Sequence, residues 1–177
     1  VNQTQPCLEM GRSFVDSEAQ RSFHGLLLLF KGIGAFVCQF PRYRVLYGTV
    51  SLSRQYRPLS VLLMQHFLAN PSENVQAKLP FTHPIPLELT SYLAIHGNDI
   101  ESLNWLIQQI EPDGKGIPVL VKQYYQLGAR FYCVGIDGNF ATTPGFLIQV
   151  DLAKAPKKLL SLYLGEGADA YLASDTV

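Results

Sequence analysis

Leu8-Glu9-Met10-Gly11-Arg12-Ser13-Phe14-Val15, backed by the apolar run from Leu26 to Phe40, is the stretch that decides the fold. The first part reads as a strand and the second as a buried helix, with a short polar connection between them. Glu and Arg are uncommon inside a protein unless paired. Gly weakens a strand unless something must come close to the backbone. A carboxylate, a glycine and a guanidinium within four residues therefore mark a candidate site.

On either side of this stretch the pattern alternates between strand and helix. Cys7 to Val15 is the first predicted strand. Asp16 or Ser17 caps a helix that begins near Glu18 and runs to about Gln39, before Pro41. Leucines on every face predict a helix buried nearly all round. Gly25, Gly32 and Gly34 lower its propensity, which predicts close packing against a sheet. Arg44 to Ser53 is a second strand with bulk on both faces, as in an interior strand. Pro58 opens a helix over Leu59 to Ala69. Residues 70–86 hold four prolines and form either a mobile loop or a covering segment.

Leu87 to His96 is predicted as a short helix. Ile100 to Ile110 is the next, capped by Asn98 or Asp99, with Leu103, Leu106, Ile107 and Ile110 on its inner face. Asp113 to Gly116 is a turn, and Pro118 opens a helix through Leu127 that Gly128 ends. Arg130 to Ile136 and Phe146 to Leu152 are strands able to form an antiparallel hairpin. Pro156 starts a final helix, Lys157 to Leu164, and Ala168 to Ala173 adds one more turn. The expected fold class is α/β, one mixed sheet flanked by helices.

Composition bounds the function. The chain has 177 residues, enough for one domain with a real core. Hydrophobic residues make up 47% and charged residues 16%, which excludes a disordered chain. The 14 basic and 14 acidic residues cancel, so net charge gives no nucleic-acid footprint. Cys7, Cys38 and Cys133 lack metal-type spacing and read as buried thiols in a reducing cytoplasm. The histidines, His24, His66, His83 and His96, show no metal spacing either. His66 reads as a core histidine and His24 as the one near the site. The Leu26–Phe40 run is shorter than the roughly 20 apolar residues that span a bilayer. The polar opening residues predict no signal peptide.

Glu9-Met10-Gly11-Arg12-Ser13-Phe14-Val15, then Gln20-Arg21-Ser22 and the Leu26–Gly34 helix, resembles the ornithine-lipid-type N-acyltransferases, often labelled hemolysins, of the GNAT-like acyltransferase superfamily. Pro41-Arg42-Tyr43-Arg44-Val45-Leu46-Tyr47-Gly48-Thr49-Val50-Ser51-Leu52-Ser53 continues the resemblance. So do Asp113-Gly114-Lys115-Gly116-Ile117-Pro118-Val119-Leu120, Gln123-Tyr124, Leu127-Gly128 and Val150-Asp151-Leu152. The blocks recur in order over nearly the whole chain.

The resemblance implies transfer of a fatty acyl chain from an acyl-carrier-protein or acyl-CoA thioester to the α-amine of an amino acid such as ornithine or glycine. It implies no bound cofactor and no metal. It also implies a GNAT-like sheet without its first strands, about a hundred residues of the family domain lying ahead of Glu9. A sheet edge left unpaired in this way invites a second copy of the chain.

Aminolysis of a thioester needs a base for the amine proton and stabilisation of the oxyanion. Glu9 is the candidate base, in an apolar cleft that would raise its pKa. The alternative is an ion pair with Arg12 or Arg44. Arg12 would bind the acceptor carboxylate or the donor phosphate. Gly11, Ser13, Phe14, Arg21, His24, Arg44 and Ser51 are the candidate donor-binding residues. Ser13 reads as a structural hydroxyl, since no nucleophile elbow surrounds it. The residues before the long helix hold one glycine at the wrong spacing for a coenzyme A pyrophosphate, which suits a carrier protein.

The aromatics, Tyr47 and Tyr124 among them, line an acyl tunnel or fill the core. Leu159, Leu160, Leu162 and Tyr163, flanked by Lys154, Lys157 and Lys158, form a candidate contact with the inner membrane. Two other functions stay open. One is a non-catalytic module that binds acyl carrier protein or membrane within a larger acyltransferase. The other is a synthase of the acyl-homoserine-lactone type.

Overall fold

The computed structural model describes residues 6–11, 13, 15–16, 23–72, 74–84, 86–87, 99–138 and 142–174. In chain order the elements are β1 (Cys7–Glu9), α1 (Phe23–Gln39), β2 (Val45–Ser51), α2 (Pro58–Leu68), α3 (Ile100–Ile110), α4 (Val119–Gln126), β3 (Arg130–Asp137), β4 (Thr143–Asp151), α5 (Lys157–Leu164) and α6 (Ala168–Ala173). Short 3-10 turns flank α5 at Leu152–Lys154 and Gly165–Gly167. The fold is α/β with a four-stranded mixed sheet in the order β1-β2-β4-β3. The predicted helix at Leu87 to His96 lies, apart from Leu87, outside the described residues.

β1 runs parallel to β2. β4 runs antiparallel to β2, because the Leu52 N–H donates to the Pro144 carbonyl and the Leu152 N–H to the Arg44 carbonyl. β3 and β4 are neighbours joined by a short loop, which only an antiparallel pair allows. β1 is shorter than the predicted strand and ends at Glu9. Met10, Gly11, Ser13 and Val15 are irregular. β2 is an interior strand, as expected, but its two faces are covered unequally: Leu46, Gly48, Val50 and Leu52 are buried, whereas Thr49 and Ser51 on the alternate positions are exposed.

The chain forms two compact units, one of Thr49–Tyr125 and Arg130–Ile148, the other of Asn2–Gly48, Gln126–Ala129 and Gln149–Val177. In the first unit, α2 starts at Pro58, whose missing N–H is no loss at a helix start. α3 is capped by Asp99, whose carboxylate accepts the Glu101 and Ser102 N–H groups at 2.9 and 2.8 Å. Leu103 and Ile107 are fully buried beneath it, and Leu106 and Ile110 half-buried. Phe131 and Phe146 meet edge to face at 5.2 Å.

The proline-rich stretch after α2 covers the outer edge of β3. The Asn70 N–H donates to the Phe131 carbonyl, the Phe81 N–H to Val134, and the Ile136 N–H to Leu79. Pro80 stands opposite Gly135, where no ladder donor is needed. His66 on α2 is exposed rather than in the core.

In the second unit, α1 packs on α5 and α6. The contact rests on Gly34. A Cβ there would collide with the Tyr163 carbonyl, so the two helices touch backbone to backbone. Phe30 stacks on the Tyr163 ring at 4.9 Å, and Cys38 lies against Gly167. Gly34 thus packs on a helix, not on a sheet.

α1 is not buried all round. Phe30, Gly34 and Val37 are buried, and His24, Leu28, Lys31, Gly32, Ala35, Phe36 and Gln39 are exposed. Leu160 and Tyr163 of α5 are buried at 1% and 8% exposure. Two of the four apolar residues of the expected membrane face of α5 are therefore core, while Leu159 is half-buried and Leu162 is exposed beside Lys157 and Lys158. All three cysteines are free and half-buried. Among the described residues, no helix is long and apolar enough to cross a membrane.

Gly34→Ala is expected to lower stability by about 1–3 kcal/mol through overpacking against Tyr163. Gly32 has nothing within 4 Å of a Cβ, so Gly32→Ala is expected to raise stability by about 0.5–1 kcal/mol. Urea unfolding of both variants checks this, and equal midpoints would count against the close helix contact.

Candidate functional site

The site grows from the register of β1 on β2. Cys7 stands opposite Val45, Leu8 opposite Leu46 and Glu9 opposite Tyr47. The last bond of the pair runs from the Met10 N–H to the Tyr47 carbonyl at 2.8 Å. Paired residues of neighbouring strands project on the same side of a sheet, so Glu9 and Tyr47 share a face. The Tyr47 hydroxyl points at Glu9 Oε2 across 3.5 Å, a long contact.

Glycines shape this end of β1. Gly48 is buried, and a Cβ there would lie 2.9 Å from the Met10 carbonyl oxygen. The close approach of the two strands therefore needs a residue without a side chain. The Glu9 carboxylate folds back over Gly11, with Oε1 3.6 Å from where a Gly11 Cβ would stand.

Glu9 is exposed rather than set in an apolar cleft. Ion pairs among the described residues include Lys115 with Glu111 and Asp113, and Lys154 with Asp151. Glu9 is in none of them. The Tyr47 phenol is pushed above its ordinary value by desolvation first, with the Glu9 carboxylate and Cys7 adding to it. Tyr47 thus stays a protonated donor at neutral pH, with the Glu9 side chain in front of it.

No protein-family model, no curated protein and no solved structure matches this chain.

The other expected site residues are spread out. Gly11 and Ser13 are exposed beside Glu9 in sequence, and His24 is exposed in the first turn of α1. Ser51 is exposed on β2 and belongs to the first unit. Arg12, Phe14 and Arg21 lie outside the described residues.

Arg44 is placed differently from expectation. It is buried at 7% exposure. Its guanidinium donates to the carbonyl and hydroxyl of Ser174 and lies 4.4 Å over the Tyr171 ring. Tyr171 in turn donates its hydroxyl to the Tyr43 carbonyl at 2.9 Å. Arg44 fastens the end of α6 to the start of β2 and is not the partner of Glu9. Among the described residues, no group of His, Cys, Asp and Glu could hold a metal ion.

Sequence reasoning missed Tyr47 as a site residue and counted it among tunnel or core aromatics. No sequence signal sets the register of two parallel strands separated by a helix, and that register alone brings Tyr47 to Glu9.

A second polar cluster was also missed, in the first unit. Glu111 is buried at 3% exposure. It accepts the Arg57 N–H at 2.9 Å and pairs with Lys115 at 3.1 Å. It occupies the positive end of α2, where a carboxylate is favoured. Lys115 also reaches Asp113 and the Gln55 carbonyl, both at 3.2 Å, and lies 4.9 Å over the Tyr56 ring. Asn104 accepts the Ile117 N–H at 2.9 Å and fills the space a Cβ would need at Gly116. The Asp113–Gly116 block is therefore a clamp holding α2, α3 and the turn before α4.

Burial pushes the Glu111 carboxyl up, but the Ser60 hydroxyl, the Arg57 N–H and Lys115 outweigh it and hold it below the usual carboxylate range. A depressed folded-state value gives stability that is full above the unfolded carboxylate value of about 4.3. That stability is lost as pH falls through the folded value. Glu111→Gln is expected to cost about 1–3 kcal/mol at neutral pH and to flatten the acid side of the stability curve. Denaturant unfolding of both proteins across pH 3 to 7 measures it, and parallel curves would contradict the clamp.

Proposed function

We infer that the protein is an N-acyltransferase that moves a fatty acyl chain from an acyl-carrier-protein or acyl-CoA thioester to the α-amine of an amino acid. Ornithine or glycine as acceptor would give a lyso-aminolipid. The observation that carries this is Glu9 beside the Tyr47 hydroxyl at the end of a short parallel strand pair. A pair that stops at Met10 while β2 runs on to Ser51 supports a GNAT-like splay of the two strands. The exposed backbone of Gly11 and Ser13 is then free to bond the amides of a pantetheine arm, as in strand addition.

In this scheme Glu9 takes a proton from the acceptor amine, directly or through one water. The amine nitrogen attacks the thioester carbonyl. The C–N bond forms, the C–S bond breaks, and the proton leaves with the pantetheine thiol. Solvent exposure of Glu9 suits an amine that enters from water. Arg12 is assigned to the acceptor carboxylate, where its planar fork gives two bonds. The donor is a substrate, with no resident cofactor, and the reaction belongs on the cytoplasmic side.

One observation favours a second function. Glu9 lies exposed rather than in an apolar cleft, which takes away one support for a catalytic base. A module that binds acyl carrier protein without chemistry fits that arrangement.

Turnover of acyl-carrier-protein thioesters with a panel of amino acids separates the two. Glu9→Gln is expected to lower kcat/KM by about 10²–10⁴ while carrier binding, measured by titration, stays the same. Carrier binding with no turnover on any amine would make the protein a binding module.

A further inference from the structure

The uncovered face of α1 is where the sequence and the fold disagree most. Leu28, Gly32, Phe36 and Phe40 follow one another at four-residue spacing, one row along the outer side of the helix. Leu28 is 66% exposed, Phe36 39% and Phe40 37%. Such a row is normally turned inward. Here the inward row is Phe30, Gly34 and Val37, already packed on α5.

The end of the row is aromatic. The rings of Phe36 and Phe40 lie 4.8 Å apart, and those of Phe36 and Tyr43 6.0 Å apart. Arg42 lies 5.0 Å over the Tyr43 ring and donates to its hydroxyl at 3.3 Å. The tip therefore has an apolar body with a polar, cationic rim, the chemistry of a membrane–water interface.

Charge is segregated in the same part of the chain. From Ala19 to Ser72 there are six basic residues, Arg21, Lys31, Arg42, Arg44, Arg54 and Arg57, and no Asp or Glu. Lys31 and Arg42 are exposed at the apolar row. The elements packed on α1 carry exposed Lys157 and Lys158 on α5, and Glu166 and Asp169 on the turn and helix after it. Of the six, Arg44 is buried against Ser174 and Arg54 and Arg57 belong to the first unit, so among the described residues Lys31 and Arg42 are the exposed cations beside the apolar row.

We propose that this face of α1, from Leu28 to Tyr43, docks on an anionic lipid surface. The apolar row enters the boundary between headgroups and acyl chains, with Lys31 and Arg42 on the headgroups. This site replaces the lysine-flanked face of α5, whose Leu160 and Tyr163 are core. It does not depend on the acyl-transfer function, and a protein without turnover would still bind.

Co-sedimentation with vesicles of phosphatidylcholine alone, and of phosphatidylcholine with phosphatidylglycerol, tests it. Wild type is expected to bind the anionic vesicles and to be released by salt. Lys31→Glu with Arg42→Glu is expected to weaken binding by at least about 25-fold, near five-fold per lost cation. Leu28→Gln with Phe40→Ser is expected to abolish it while the thermal unfolding midpoint is kept. Val119→Gln, at a position 63% exposed elsewhere in the chain, is expected to bind like wild type. Equal binding by all variants, or no binding to anionic vesicles, would overturn the proposal. Loss of a dimer, or of acyl-carrier-protein binding, in the apolar variant without vesicle binding would assign the face to a protein instead.

Discussion

The Met10 carbonyl oxygen sits 2.9 Å from where a Cβ at position 48 would stand, closer than a side chain tolerates. That close approach, possible only with glycine in β2, lets β1 lie against its neighbour for its short length. The register then puts a carboxylate and a phenol on one face. The pairing ends one residue later, with the Met10 N–H on the Tyr47 carbonyl. Glu9, Tyr47 and the exposed glycine at position 11 follow from this single contact.

Close backbone contact recurs at Gly34 and Gly116. The first lets α1 meet the Tyr163 carbonyl and leaves the opposite side of the helix uncovered. The second lets Asn104 close over the turn before α4, next to the buried Glu111. In each case a glycine replaces what would be a clash, and the polar groups nearby find fixed partners. Arg44 illustrates the same economy. A guanidinium that could have faced a ligand is instead bonded to Ser174 and stacked on Tyr171, which ties the end of the chain to the start of β2.

Much of the architecture was legible in the residues. Pro58, Asp99, Gly128 and Pro156 mark element ends because each acts through its own backbone or a short-range bond. The five helices and three strands from Arg44 onward that lie among the described residues fall within a few residues of their expected bounds. Glu9 was visible as an odd residue in a strand. What was hidden depends on distant pairing. Tyr47 joins the site only through strand register. Glu111 drew no notice in the sequence, because its partner Arg57 lies 54 residues away. The leucines of α1 fall on every face, and sequence cannot say which face meets a partner. His66 sits at helical spacing with leucines yet faces solvent, since a row of apolar neighbours fixes periodicity and not direction.

The most direct test of the account is a double-mutant cycle on turnover with Glu9→Gln, Tyr47→Phe and the pair. If the two side chains act as one unit at the end of β1, the double variant is no slower than the slower single one, a coupling of about 0.5–3 kcal/mol. Losses that simply multiply, or singles that turn over like wild type, would contradict the joint site.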